Sequence, residues 1–235
     1  LKFKHTISYD IYEVDNLKIG IIGLVTNEEE YNPEIKVLDP IVSTLELIHL
    51  FKDVDYLIAM THQDIEFDYK LIDSVNVYGG KKIDVILGGH IHTASLLTYK
   101  DVPIIRTGEN LEYVGVIELS KNEMNIEMIE ANNLAIDPYF VTLKENADNE
   151  LKKNFPGILY ELNYKLSSLN MRVTGNSLGT FICNKIAKYF NSDIALLNGG
   201  LVRSQRLFDY NITYGDLYEI FPLDNLFTTV KMSGK

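Results

Sequence analysis

The sequence predicts an α/β fold in which a layered sandwich is followed by a smaller α/β unit. Continuous apolar runs, of the kind found in strands buried on both faces, alternate with segments whose apolar residues recur at helical spacing. The chain has 235 residues, of which 46% are hydrophobic, so it can bury a sizeable core as one or two domains. Near residue 132 the composition becomes polar, which predicts a boundary between two parts.

The first part is predicted from its alternation of strands and helices. We expect strands at 17–25, 54–60, 83–89, 102–107 and 113–119, followed by a β-like stretch at 125–130. Between the first two strands, Asp39-Pro40 predicts the start of a helix, because a carboxylate caps a helix well and proline suits its first position. Residues 65–77 have the apolar spacing of a second helix. This order of elements indicates an α/β layered fold.

The second part begins with a polar stretch that is rich in Lys and Asn. We expect residues 135–168 to form a linker helix, with Pro138 near its start. Residues 176–190 have helical spacing, 193–198 is typical of a short strand, and 212–222 is typical of a turn followed by a short helix. The predicted domains are 1–134, 135–168 and 169–235.

Charge and cysteine content exclude several classes of protein. The formal net charge of −11 argues against a nucleic-acid binder that works by bulk electrostatics. An anionic small molecule could still bind where metal ions and a few arginines reverse the local field. Cys183 is the single cysteine, so we expect neither an internal disulfide nor a thiolate metal cluster. No apolar run approaches the roughly 20 residues of a membrane-spanning helix.

Histidines follow two of the predicted strands. His62 follows the strand at 54–60, whereas His90 and His92 follow the strand at 83–89. Ligands bind at the carboxyl ends of strands in open α/β sheets, and neutral imidazole suits zinc, manganese, iron or cobalt. We therefore expect all three histidines to be metal ligands. The alternative for His62 taken alone is a structural, hydrogen-bonded histidine.

Other polar residues near these strands are expected to be structural. His49 lies within a predicted helix and His5 lies near the start of the chain, so both are expected to be structural or exposed. Asp64 and Asp68 are expected to be surface or capping residues rather than metal ligands.

Ordered motifs across nearly the whole chain resemble the 5′-nucleotidase family. The stretches "THQDIEFD" (61–68) and "GGHIHT" (88–93) are similar to the later metal-binding blocks of calcineurin-like metallophosphatases. The second part carries motifs similar to the family's carboxy-terminal domain, namely "RVTGNSLGTFICNKIA" (172–187), "NGGLVR" (198–203), "ITYGDLYEIFPLDN" (212–225) and "SGK" (233–235). They occur in the family's order and at about its spacing.

The resemblance implies a fold and a cofactor. The family folds as an αββα sandwich that holds two divalent metal ions and is joined by a helix to a smaller substrate-binding α/β domain. Carried over by position, His62 and His90 bind one ion and His92 binds the other, with zinc, manganese, iron, cobalt and magnesium as candidates. Such ions clamp a phosphate and activate a water that attacks phosphorus.

The resemblance also implies a nucleotide site in the second part. Arg172 and Arg203 correspond to arginines that face the phosphate or the ribose, and an arginine supplies planar paired donors to such groups. Asn198 and Gly199 lie in the turn that accompanies them. Asn225 matches a position that contacts the base.

The sequence departs from the family in several places. The family's earlier metal-binding blocks, with the bridging aspartate and the general acid/base histidine, have no counterpart here, so no catalytic residue is assigned in this chain. Leu201 stands at a glycine position, and Leu223 and Asp224 stand where the family has an aromatic residue and a glycine. We expect a chain truncated at both ends, which alone is poorly soluble or inactive because a sheet without its first strands exposes edges and apolar surface.

These observations favour a metal-dependent phosphohydrolase that acts on nucleotides, with nucleoside 5′-monophosphates as the expected substrates. Two alternatives within the class are a cyclic-nucleotide phosphodiesterase and a nucleotide-sugar hydrolase. A third is a degenerate relative that binds a nucleotide or a protein partner without turnover. The resemblance alone is compatible with a secreted, periplasmic or cell-surface protein.

Overall fold

A computed structural model describes residues 7–27 and 35–233 of the chain. His5, and the last two residues of the "SGK" motif, lie outside the described residues. The chain divides into two compact units, Leu1–Ala135 and Ile136–Lys235. In the part that the structure describes, no helix has both the length and the apolar character needed to cross a membrane.

The first unit is built on a six-stranded sheet. Its strands are β1 (Tyr9–Val14), β2 (Leu17–Val25), β3 (Tyr56–His62), β4 (Val85–Gly88), β5 (Ser95–Tyr99) and β6 (Val102–Arg106). Their spatial order is β1-β2-β3-β4-β6-β5. The four inner strands are parallel, whereas β1 and β5 pair antiparallel at the two edges. The strands predicted near 17–25, 54–60, 83–89 and 102–107 are confirmed, while the two edge strands were not predicted.

Two helices cover one face of this sheet. Helix α1 (Pro40–Leu47) begins as predicted, because the Asp39 carboxylate accepts a hydrogen bond from the Val42 backbone N–H at 2.9 Å. Helix α2 (Ile65–Tyr78) buries Leu71, Ile72 and Val75 against the sheet. Each of these side chains contributes about 1.5–3 kcal/mol relative to an exposed one.

A hairpin covers the opposite face of the sheet. Strands β7 (Tyr113–Leu119) and β8 (Met124–Glu130) pair antiparallel. Ile117 and Ile126 of the hairpin pack against Ile58, Val85 and Ile105 of the large sheet. The described part of this unit therefore has a helix layer, a sheet and a second sheet, which are layers of the predicted sandwich.

The second unit is a smaller assembly of helices and short strands. Its elements are α3 (Pro138–Asn154), β9 (Ile158–Glu161), β10 (Leu166–Ser167), α4 (Ser177–Phe190), β11 (Leu207–Phe208), β12 (Asn211–Thr213) and α5 (Tyr214–Ile220). Its core gathers buried side chains from most of these elements: Leu162, Leu166, Leu178, Val202, Phe208, Ile212 and Ile220. The predicted helices near 176–190 and 212–222 are confirmed.

One prediction about the second unit holds only in part, and another was wrong. The linker helix expected over 135–168 begins at Pro138 as predicted but ends at Asn154, because Pro156 and Gly157, the latter at φ +125°, do not continue it. The stretch 193–198, expected to be a strand, is irregular. Its apolar side chains Ile194 and Leu196 are 75% and 90% exposed, so burial does not favour a strand there.

Candidate functional site

The two histidine-bearing strand ends lie side by side. Strands β3 and β4 are parallel, and their register places Thr61 opposite Gly88. His62 ends β3, and His90 comes two residues after β4 ends. The imidazole rings of His62 and His90 are 5.2 Å apart between centroids and meet at 72°. The fold thus brings together two side chains that are 28 positions apart in the sequence.

The turn between β4 and His90 depends on close backbone contacts. A Cβ atom on Gly89 would lie 3.0 Å from Nδ1 of His62, and the Gly89 N–H donates to the Thr61 carbonyl at 2.7 Å. His90 itself has φ +69°, a left-handed conformation that is uncommon for a residue other than glycine. Such a strained backbone persists only where the surrounding structure enforces it, and it is frequent at functional sites.

Carboxylates lie near two of the histidines. The Oδ1 atom of Asp64 is 3.7 Å from Nε2 of His90. Asp64 occupies the N-cap position of α2 without a side-chain capping hydrogen bond, and its side chain is about half exposed, in agreement with the predicted surface placement. Nδ1 of His92 lies 2.6 Å from Oε2 of Glu109, and both side chains are partly buried. When Nδ1 carries the proton and donates it to Glu109, Nε2 of His92 is the nitrogen left with a lone pair.

The prediction for Asp68 was wrong. Its side chain is fully buried and pairs with the equally buried Arg106 at 2.6 Å. The error arose because a carboxylate in the first turn of a helix is usually a solvated residue that complements the helix dipole. Nothing in the local sequence signals that a strand 38 residues further along carries its partner.

Glu109 was missed by the sequence analysis, although a signal existed. It comes three residues after β6 ends, and β6 is parallel to β4, the strand that leads to His90, in the same sheet. Polar side chains after adjacent parallel strands share one edge of a sheet. That rule would have placed Glu109 among the candidates.

The donors at this edge suit a divalent ion in their chemistry. Imidazole nitrogen and carboxylate oxygen are ligands that zinc and manganese accept. Over residues 7–27 and 35–233, however, no group of three or more His, Cys, Asp or Glu side chains converges as a metal-binding cluster. Among these described residues, the His62–His90 and His92–Glu109 contacts are therefore pairs rather than one cluster.

A cavity of about 670 Å³ opens beside His62. Its lining combines the strand ends at His62 and Gly88 with apolar residues that include Met60, Leu111 and Val114. Its volume is within the range of small-molecule sites. His62 thus lines a cavity in which an imidazole and apolar surface meet.

In the second unit, two of the predicted substrate residues line one cavity. Arg172 and Gly199 both border a space of about 430 Å³ beside α4. A Cβ atom on Gly199 would lie 2.5 Å from the Met171 carbonyl oxygen, so only glycine allows these two segments to approach. The Asn198 side chain accepts a hydrogen bond from the Gly200 N–H at 3.1 Å, which orders the turn.

The other three predicted substrate residues, Asn198, Arg203 and Asn225, do not line that cavity. Arg203 and Asn225 are exposed, and the Asn225 amide donates to the Leu223 carbonyl at 3.1 Å. A further arginine nearby, Arg206, donates to Glu219 at 3.0 Å. This carboxylate hydrogen bond raises the pKa of the Arg206 guanidinium above its usual range, which indicates a structural role.

Residues 158–235 match the family model described as "5′-nucleotidase, C-terminal domain". These residues form a 5′-nucleotidase C-terminal domain. The resemblance of the ordered motifs to the 5′-nucleotidase family is thereby confirmed, and the match begins at β9, the first strand of the second unit.

Two curated relatives and one solved structure align with most of the chain. The "Trifunctional nucleotide phosphoesterase protein YfkN" of Bacillus subtilis is 23% identical over 97% of this chain, and "Endonuclease YhcR" of the same organism is 24% identical over 97%. The crystal structure of 5′-nucleotidase from Candida albicans covers 93% of the chain with a TM-score of 0.69 at 15% identity, which shows a shared fold. The chain spans 17% and 20% of the lengths of the two Bacillus relatives and 47% of the length of the Candida chain.

Proposed function

We propose that this chain is part of a metal-dependent phosphohydrolase that removes phosphate from nucleotides, with nucleoside 5′-monophosphates as the substrates. The observation that carries the proposal is the contact between the His62 and His90 rings, at the carboxyl ends of adjacent parallel strands. Two imidazoles brought together at the ligand-binding edge of a sheet form the start of an ion site. A nucleotidase C-terminal domain in the same chain supports a nucleotide as the substrate.

In this proposal the three histidines hold divalent ions. His62 and His90 bind one ion and His92 binds a second, drawn from zinc, manganese, iron, cobalt or magnesium. Bound ions of this kind clamp phosphate oxygens and lower the pKa of a water molecule. Glu109 orients His92 through Nδ1, so that Nε2 is directed away from the carboxylate as an ion ligand.

The second unit holds the substrate in this proposal. Arg172 lines the cavity beside α4 with Gly199 and would pair with phosphate or ribose oxygens through its planar donors. Arg203 would supply a second such contact, Asn198 orders the turn, and Asn225 would contact the base. No residue of this chain is assigned as the proton donor or acceptor for the reaction.

The test compares two histidine variants of the natural protein that contains this chain. We expect bound ions by elemental analysis and phosphate release from AMP, and we expect His90→Asn to lose both. The matched control is His49→Asn, because His49 is an exposed histidine of the first unit outside the site. Equal ion content and turnover in both variants would refute the proposed role of His90.

A panel of substrates separates the alternatives within the class. The panel contains AMP to report nucleotidase activity and 2′,3′-cyclic AMP to report cyclic phosphodiesterase activity. It also contains UDP-glucose for nucleotide-sugar hydrolase activity and single-stranded DNA for nuclease activity. We expect AMP to be the preferred substrate, and we expect the DNA to be cleaved poorly because the net charge of −11 repels a polyanion. A preference for any other member of the panel would replace the 5′-monophosphate assignment.

The second candidate function is nucleotide binding without turnover. It is favoured by Leu223, which is 55% exposed and stands where the family has a base-stacking aromatic residue, and by Leu201 at a glycine position. Saturable AMP binding by a protein that retains no ions and releases no phosphate would support this candidate over the hydrolase.

A further inference from the structure

A buried ion pair lies beneath the two histidine-bearing strand ends. Arg106 is the last residue of β6, and Asp68 lies in the first turn of α2. Their side chains are 1% and 0% exposed, and Nη2 of Arg106 lies 2.6 Å from Oδ2 of Asp68. The pair therefore joins the sheet to the helix layer directly below the edge where the histidines lie.

The ion pair holds the residue that follows His62. Nη2 of Arg106 also donates to the backbone carbonyl of Gln63 at 3.0 Å. The Gln63 side-chain amide in turn donates to Oδ1 of Asp68 at 2.9 Å, and Gln63 is only 1% exposed. Both the backbone and the side chain of Gln63 are thus fixed by the pair, which restricts where β3 can end and where His62 can point.

The same arginine contacts the strand that leads to His90. A Cβ atom on Gly88 would lie 2.8 Å from both Cζ and Nη1 of Arg106. The guanidinium group therefore lies against the backbone of Gly88, two residues before His90. One side chain thus contacts both strand ends that carry the paired imidazoles.

Stability alone does not account for this pair. A buried ion pair is often no more stabilising than apolar side chains of similar volume. Within the described residues, Nε and Nη1 of Arg106 and Oε1 of Gln63 are buried without a hydrogen-bond partner, which adds to the cost of burying these groups. Because this network is costly to bury and lies at the sheet edge that carries His62 and His90, we infer that it fixes the positions of the strand ends there.

We propose that the Arg106–Asp68 ion pair is a positioning device that fixes the strand ends carrying His62 and His90 at the separation needed for one ion. The contacts of Arg106 and Asp68 support the fixed separation of the two strand ends. The binding of an ion by His62 and His90 rests on the proposed function. Arg106 and Asp68 touch neither ion nor substrate; they act through Gln63 and Gly88.

The test replaces both charges at once. Arg106→Gln combined with Asp68→Asn keeps the volumes similar and leaves no single buried charge. The matched control is Ile104→Ala, which removes buried volume from the same strand, because Ile104 is 0% exposed, but leaves the ion pair intact. Urea unfolding of both variants shows whether they are destabilised to a similar extent.

The first readout needs no ion. Nuclear Overhauser effects between the ring protons of His62 and His90 are measured in ion-free protein, where the 5.2 Å centroid separation predicts observable cross-peaks. We expect these cross-peaks to be lost in the double variant and kept in Ile104→Ala. Unchanged cross-peaks in the double variant, or equal loss in both variants, would overturn the positioning role.

The second readout separates this inference from the proposed function. Calorimetric titration with Mn²⁺ is expected to show a loss of about tenfold or more in affinity for the double variant, as for residues that orient metal ligands, and little change for Ile104→Ala. If the unsubstituted protein binds no Mn²⁺ while the cross-peaks behave as expected, the ion assignment fails and the positioning role stands.

A single variant covers the case in which the double variant does not fold. Arg106→Lys keeps the buried charge opposite Asp68, but an ammonium group cannot reproduce the planar fork that contacts Asp68, Gln63 and Gly88 together. We expect weakened His62–His90 cross-peaks in a folded protein. Wild-type cross-peaks in Arg106→Lys would count against the proposal.

Discussion

The substitution Gly88→Ala tests whether the Arg106 guanidinium restricts the position of β4, the strand that leads to His90. The new Cβ atom would lie 2.8 Å from Cζ and Nη1 of Arg106, whereas non-bonded heavy atoms prefer about 3.5–4.0 Å. The guanidinium group would have to move by nearly an ångström. It is held by a 2.6 Å ion pair with Asp68, so the strain cannot relax without weakening that pair.

The expected cost follows from two opposing effects. Overpacking a buried site costs about 1–3 kcal/mol, whereas replacing glycine by alanine reduces the entropy of the unfolded chain and gains about 0.4–1 kcal/mol. We expect Gly88→Ala to lower the free energy of unfolding by about 1–2 kcal/mol. The matched control is Gly23→Ala on β2, where a Cβ atom would meet nothing within 4 Å, so only the entropic gain should remain.

Urea unfolding followed by far-ultraviolet circular dichroism gives the comparison. Because the chain has two units, its unfolding need not be two-state. Hydrogen exchange of a peptide covering 83–89 therefore reports the local effect on β4. If Gly88→Ala is as stable as Gly23→Ala, with unchanged exchange on β4, the contact between Arg106 and Gly88 does not restrict the strand.

Three further predictions concern single side chains. Glu109→Gln should weaken Mn²⁺ binding about tenfold, because the carboxylate that orients His92 through Nδ1 is lost; calorimetric affinity equal to wild type would contradict this. Asn191 is the C-cap residue of α4 and has a left-handed backbone at φ 49° and ψ 47°. Because a β-branched residue is disfavoured there, Asn191→Val should lower the free energy of unfolding in urea by about 1–2 kcal/mol, whereas Asn191→Gly should lower it little. Similar stability of the two variants would refute the argument. The hydrogen bond from Lys100 holds the pKa of Asp73 below its usual range, so this stabilisation is present above the ordinary carboxyl pKa and is lost as pH falls through the lowered one. A carbon-detected titration should show a higher Asp73 pKa in Lys100→Met than in the unsubstituted protein, and an unchanged pKa would exclude the pairing.

Local patterns predicted most elements of the first unit. The apolar runs that became β2, β3, β4 and β6 are long enough to be recognised without their neighbours, since strands buried on both faces are continuously apolar. The edge strands β1 and β5 were missed because they are largely exposed and carry no such run. The stretch 193–198 was wrongly expected to be a strand because its short apolar run is not buried.

Part of the candidate site could also be predicted. His62, His90 and His92 were identified because each follows a predicted strand, and parallel strands end at a common edge. Glu109 obeys the same rule and could have been included. Arg172 and Gly199 were identified through family motifs, but their common cavity depends on the approach of Gly199 to Met171.

Sequence patterns were sufficient to identify the α/β class, the positions of the histidines after their strands and the family of the second unit. These follow from interactions between residues close in the chain, or from ordered motifs. The contact between the His62 and His90 rings and the burial of Asp68 against Arg106 could not be read from these patterns. Such contacts depend on strand order and on helix packing over the sheet. Residues 28 and 38 positions apart become neighbours only when the whole layer has formed.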